Sequence, residues 1–212
     1  MPEFTEISAR MAREIVKSAC PAIEDEIDFE RDEYMNEDET IVVRHYKGDT
    51  HFDQDFAIEA DTVLVSGDLI VNGLLSDCKI AEHTLLVVCG NLKATNLHAR
   101  GEVIVGGNLD IGELAYLSSS NDYMLHVGGS LFAQAFIEEG TYCVILGNIE
   151  AHKILSLQSE IVQGRERLPV VERRAACAYD ILQPHLLEDA YPDRRAVLAA
   201  QRNHTALLPE QR

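Results

Sequence analysis

The sequence predicts an all-β solenoid core, a right-handed parallel β-helix of about five to six coils, with helical caps at both ends. Three observations predict it. First, between Val63 and Leu155 a strand-like run closes five times on glycine, a small polar residue and a branched aliphatic: Gly67-Asp68-Leu69, Gly90-Asn91-Leu92, Gly107-Asn108-Leu109, Gly129-Ser130-Leu131 and Gly147-Asn148-Ile149. The glycines are 23, 17, 22 and 18 residues apart, a period that fits one strand–corner–strand coil. Second, alignment on the glycine superposes apolar positions. Two before it stand Val65, Val88, Val105, Val127 and Ile145, and four before it Val63, Leu86, Val103, Leu125 and Cys143. Four after it come Val71, Ala94, Ile111, Ala133 and Ala151, and seven after it Leu74, Leu97, Leu114, Phe136 and Ile154. Spacing by two, rich in Val and Ile, is strand spacing. Third, each Gly-[Asp/Asn] reads as a corner, because glycine permits a positive φ and the Asx side chain can bond its own backbone. Stacked coils should turn these positions into aliphatic ladders and an Asx ladder. The strict six-residue period of left-handed β-helices is absent, hence the right-handed expectation.

In chain order, residues 5–19 read as an amphipathic helix with Thr5 as N-cap, Ile7, Met11 and Ile15 on one face, and Pro21 beyond its end. Residues 24–39 hold ten acids and one Arg, interleaved with apolar residues such as Ile27, Phe29, Tyr34 and Met35. Two readings compete there: an acidic helix docked on the solenoid, or a segment that folds against a partner. Residues 41–58 resemble a degenerate first coil around Gly48-Asp49, with Tyr46, Phe52, Phe56 and Ile58 turned inward. Insertions over 76–84 and 116–124 lengthen two coils and should emerge on one side, the second as a loop through Ser118-Ser119-Ser120-Asn121-Asp122. Beyond Ser156, residues 168–182 and 193–201 read as helices, with Asp193 as N-cap of the latter. The expected division is therefore 1–40, 41–158 and 159–212.

One row bears on function. The residues three before each glycine, Leu64, Val87, Ile104, His126 and Val144, must point outward if their neighbours point inward. An aliphatic stripe of that size is either covered by the terminal helices or is a binding surface.

Composition narrows the rest. The net charge is −18, and residues 1–160 carry 10 Lys and Arg against 29 Asp and Glu. Such a field repels nucleic acid and anionic membrane and speeds encounter with a basic partner. No run of eighteen apolar residues is present, and the N-terminus lacks the basic and apolar regions of a signal peptide, so a cytoplasmic protein is expected. Five cysteines without CxxC spacing read as reduced thiols. No catalytic set, metal-ligand cluster or phosphate loop stands out, so neither enzyme activity nor a cofactor is expected. The outward row Ile70, Lys93, Asp110, Phe132 and Glu150 lacks the clustered acids or arginines of carbohydrate-active β-helices.

The units Val65-Ser-Gly-Asp-Leu69, Val88-Cys-Gly-Asn-Leu92 and Val105-Gly-Gly-Asn-Leu109 resemble the coil corners of the bactofilin group of polymer-forming proteins, over about residues 63–155. That resemblance implies a non-enzymatic scaffold stacking end to end through its terminal coils. Irregular coils and helical ends depart from it.

The expected function is a non-catalytic interaction protein, an immunity-type neutraliser of a basic toxin domain. Its candidate contacts are Glu24, Asp25, Glu26, Asp28, Asp32, Glu33, Glu37 and Asp38, with Ser119, Asn121 and Asp122 of the loop. The alternative is a bactofilin-like scaffold that self-associates, at least as a homodimer, through Leu64, Val87, Ile104 and Val144. A carbohydrate-active β-helix enzyme is the third reading.

Overall fold

Successive coils each contribute a short and a long strand, and like strands pair in parallel to build two sheets. The computed structural model describes residues 2–29, 42–60, 62–77, 84–120, 123–166, 168–169 and 177–209. The chain opens with β1 (Thr5–Ser8), α1 (Ala9–Ala19) and a 3₁₀ turn (Pro21–Glu26). The coils follow: β2 (Val42–Tyr46), β3 (Thr50–Phe52), β4 (Phe56–Ala57), β5 (Thr62–Val65), β6 (Leu69–Ser76), β7 (Leu85–Val88), β8 (Leu92–Ala99), β9 (Glu102–Val105) and β10 (Leu109–Ser118). They continue with β11 (Met124–Val127), β12 (Leu131–Glu139), β13 (Tyr142–Ile145), β14 (Ile149–Ser156), β15 (Ile161–Gln163) and β16 (Leu168–Pro169); α2 (Arg194–Arg202) comes last. The first sheet stacks β2, β5, β7, β9, β11, β13 and β15; the second stacks β3 and β4 on β6, then β8, β10, β12 and β14. The result is a parallel β-solenoid of about six turns.

Register turns the repeat into ladders. Val65 pairs with Val88, Val88 with Val105, Val105 with Val127 and Val127 with Ile145. These side chains share one interior with Val63, Leu69, Val71 and their counterparts. The first coil joins as expected, with Tyr46, Phe52, Phe56 and Ile58 buried.

The row expected seven after the glycine is different. The interior ladder there is Leu75, Leu97, Ala115, Phe136 and Ile154, while Leu74 and Leu114 point outward. The register shifts between Val71 and Leu74 and again between Ile111 and Leu114. One extra residue at a bulge shifts by one the positions that face inward beyond it. Gly73 and Gly112 sit at these two places.

The corners also differ in mechanism from the expectation. Positive φ occurs at Gly48, Gly140 and Gly164, not at the five corner glycines. What those glycines provide is room against the coil beneath. A Cβ on Gly107 would lie 2.9 Å from Gly90 O, and one on Gly147 would lie 2.7 Å from Gly129 O. The Asx side chains likewise serve the neighbouring coil rather than their own. Asp49 Oδ1 accepts from Asp68 N at 2.9 Å, Asp68 Oδ1 from Asn91 N at 2.7 Å, and Asn91 Oδ1 from Asn108 N at 2.8 Å. Asn108 Oδ1 then accepts from Ser130 N at 2.8 Å and Ser130 Oγ from Asn148 N at 3.0 Å. Two further acids are built into the opposite corner. Asp77 accepts from Arg100 N at 2.8 Å and Gly101 N at 2.6 Å, and the fully buried Glu138 accepts from Gly140 N at 2.5 Å and Ser159 N at 2.9 Å.

The ends correct three expectations. Residues 5–8 form a strand, antiparallel to β2, because the open edge of the first coil supplies backbone partners to the β-branched Thr5 and Ile7. Ser8, not Thr5, caps α1, accepting from Met11 N at 3.3 Å, and the helix buries Ala12 and Val16 while Met11 is 55% exposed. The expected helix over 168–182 begins with β16, antiparallel to β15, and includes a 3₁₀ turn at Ala178–Asp180; residues 170–176 lie outside the described residues. Among the described residues, β1 and β16 pair with the two ends of the first sheet, while α1 and the C-terminal segment pack on the outer faces of the sheets. The expected cap at Asp193 is present, accepting from Arg195 N at 2.9 Å and Ala196 N at 3.2 Å.

Candidate interaction surfaces

The outward stripe is the first surface to locate. Leu64, Val87 and Ile104 are each 0% exposed, roofed by Ala12 and Val16 of α1 and by Ile23, Ile27 and Phe29. Val144 is also 0% exposed. The four residues expected to glue one copy to another are thus buried within a single chain, and for Leu64, Val87 and Ile104 the cover is an amphipathic segment of that chain. Each such aliphatic contributes about 1.5–3 kcal/mol when fully buried. His126 continues the stripe and lies, buried, 3.7 Å from a Glu26 carboxylate oxygen.

The same packing arranges the acidic segment. With Ile23, Ile27 and Phe29 turned down, Asp25 and Asp28 are exposed, and Glu24 and Glu26 are half-buried, Glu26 facing His126. Asp32, Glu33, Glu37 and Asp38 lie outside the described residues, as do Asn121 and Asp122. Ser119 is a correction. It is 3% exposed, with its N–H bonded to Glu139 O at 3.0 Å, because β10 runs on to Ser118 and ties the start of the insertion to the next coil. Ser119 therefore presents nothing to a partner.

The C-terminal segment covers the outer face of the second sheet. Ile181, Leu182, Leu186, Val197 and Leu207 pack on Leu114, Tyr116, Ala135, Ile137 and Leu155. Buried polar ties fix its position. His98 Nδ1 bonds Gln201 Oε1 at 2.8 Å; Gln201 Nε2 donates to Leu97 O at 3.4 Å, which orients the amide and makes the imidazole the donor. Tyr116 OH donates to Glu139 Oε2, whose other oxygen accepts from Arg194 at 2.9 Å. Burial pulls His98 down to about 4, partly offset by the Gln201 bond. Burial, followed by Glu139, raises the Tyr116 hydroxyl. Perturbed groups of this kind mark catalytic clefts when they line one. Here His98 and Tyr116 are 1% and 0% exposed, sealed beneath the segment, and their bonds register it on the sheet. Burial likewise pushes the Cys89 thiol up to about 12 and raises that of Cys143.

The first half of each long strand keeps an open face, with Ile70 38% exposed and Lys93 paired to Asp110 at 3.2 Å. Among the described residues, no group of three His, Cys, Asp or Glu is placed to hold a metal ion.

A further feature escapes period-based reading. At the N-terminal end of the solenoid a cavity of about 710 Å³ opens, lined by aromatic rings of the first coil, by Phe4 and Arg44, and by carboxylates at its edge. Tyr46, Phe52 and Phe56 are readable as inward residues of a first coil. Phe4 joins them only because β1 pairs with β2, which sets its ring 5.7 Å from Tyr46. No period in the sequence marks Phe4, whose neighbours Thr5 and Glu6 are both polar. No protein-family model, no curated protein and no solved structure matches this chain.

Proposed function

We propose that this chain is a non-catalytic interaction protein that engages a basic protein partner, in its specific form an immunity-type neutraliser of a basic toxin domain such as a nuclease. In this reading the coil is right-handed and the protein acts in the cytoplasm. One observation carries it: Ile23, Ile27 and Phe29 dock the acidic segment on the first sheet and leave Asp25 and Asp28 facing solvent. Acids held on a rigid scaffold lose little conformational freedom on binding, and a net charge of −18 draws a cationic partner in. The test is binding to purified cationic toxin domains by calorimetry at low and physiological salt. Affinity should fall steeply with salt, because charges are screened beyond ~8 Å at physiological ionic strength. A salt-insensitive complex would sink the reading.

A second reading, the self-associating scaffold of bactofilin type, has its own observation. Among the described residues no further strand pairs with β3 and β4 at one end of the second sheet or with β14 at the other. Unpaired edges are templates for another chain. Light scattering over a concentration series separates the two: constant mass supports partner binding, and growth into open-ended species supports the scaffold.

A further inference from the structure

The N-terminal cavity combines two features that are separate elsewhere in the molecule. Its floor is aromatic: Phe52 and Phe56 stack at 3.9 Å between centroids with planes 9° apart, and Tyr46 meets both edge-on at 5.7 and 6.0 Å. Elsewhere the interior ladders are mainly aliphatic, so the rings are concentrated where the solenoid ends. Its edge is acidic: Asp53, Asp55 and Glu59 contribute carboxylates, Asp55 Oδ1 also accepting from Leu74 N at 2.8 Å and Asp53 lying 3.6 Å from His51, and Arg44 is the lysine-or-arginine cation among the lining residues. That cation is itself instructive. The Arg44 guanidinium lies 4.4 Å from the centroid of Phe4, whose ring is 44% exposed. The chain's own side chain thus shows one interaction this site offers, a planar cation laid on an aromatic face.

We infer that the N-terminal cavity is a receptor for an arginine side chain of a basic protein segment, seated on the aromatic rings and held at its edge by Asp55 and Glu59. Arginine fits better than lysine, since its delocalised guanidinium both stacks on rings and forks onto carboxylates. The inference rests on the basic-partner reading above and narrows it, because it moves the specific contact from the acidic segment to the end of the solenoid. The docked acids then steer the encounter, and the cavity holds the anchor.

The experiment is titration of the full chain with a short synthetic peptide of alternating arginine and glycine, and with the same peptide carrying citrulline, at low salt by calorimetry. Citrulline keeps the shape and removes the charge. The arginine peptide should bind and the citrulline peptide should bind about tenfold more weakly or not at all. Phe4→Ala, at a half-exposed ring, and the double variant Asp55→Asn with Glu59→Gln should each weaken the arginine peptide by about tenfold. Asp25→Asn with Asp28→Asn should leave the bound-state contact intact and change affinity by less than about threefold at physiological salt. Circular dichroism of each variant confirms that the fold is retained. If the Asp25 and Asp28 pair abolishes binding while the cavity variants bind as the parent does, the receptor is wrong and the basic-partner reading survives. If neither peptide binds the parent chain at low salt, both fall.

Discussion

The two lateral covers of the solenoid solve the same problem differently. Over the first sheet, α1 and the 3₁₀ turn are held largely by apolar contact, Ile23, Ile27 and Phe29 against Leu64, Val87 and Ile104, with buried His126 facing Glu26 at 3.7 Å. Over the second, the C-terminal segment adds buried polar ties, His98 to Gln201 and Arg194 to Glu139. Apolar contact stabilises without fixing position finely, whereas a buried hydrogen bond tolerates one placement and costs heavily when broken. The first cover has the acids and tolerates adjustment. The second is registered on its sheet, and its key tie is sensitive to a proton.

Four measurements break or sharpen that contrast. The largest effect is expected for Ile104→Lys, which buries an ammonium at a 0% exposed site under the first cover. Thermal or urea denaturation should show a loss of about 3–5 kcal/mol, and limited proteolysis should cleave the N-terminal segment first. A variant as stable as the parent would mean that the cover is not seated on this stripe.

Next is acidification, directed at the second cover. His98 has its ordinary value of 6.5 in the unfolded chain and about 4 in the folded one. The unfolded state therefore takes up the proton first. The His98 contribution is present above pH 6.5 and is lost as the pH falls through 4, by about 3 kcal/mol in all. His98→Gln should flatten this part of the stability–pH curve relative to the parent. Parallel curves for the two proteins would refute the buried neutral imidazole.

The third compares glycines in the coil that both covers share. Gly107→Ala drives a methyl to 2.9 Å from Gly90 O and should cost about 2–3 kcal/mol. Gly48→Ala meets nothing within 4 Å but must hold a φ of +75°, and should cost about 1 kcal/mol. Equal losses would mean that coil spacing relaxes to admit the methyl. The smallest effect is expected for Asn91→Ala, which removes one exposed rung of the ladder to Asn108 N. Water can replace the bond, so a loss of about 1 kcal/mol is expected in urea titration.

Much of the coil was legible before any coordinates. The rows two and four before the glycine and four after it hold because a parallel ladder puts like on like at every turn. The row seven after failed at Leu74 and Leu114, where a single inserted residue shifts the inward-facing positions by one. Gly73 and Gly112 stand at these places, yet a glycine alone does not say on which side the strand resumes. The corner glycines were found for an incomplete reason. Their φ is ordinary, and their necessity comes from the backbone of the coil below, which no local pattern reveals. Of the candidate contacts, Asp25 and Asp28 are exposed, whereas Ser119 is buried by pairing with the next coil.

By itself the sequence determined the solenoid: the repeat of glycine, Asx and aliphatic rows, the outward stripe, and an acidic excess confined to residues 1–160. These follow from periodicity and composition, which every coil restates. Tertiary structure alone decided that Leu64, Val87 and Ile104 are roofed by the chain's own N-terminal segment, that β1 and β16 pair with the ends of the first sheet, and that Phe4 completes an aromatic cavity with an acidic edge. Each is a single contact between segments that do not repeat. Shape and charge complementarity select such contacts once, and a once-only contact leaves no period in the sequence to read.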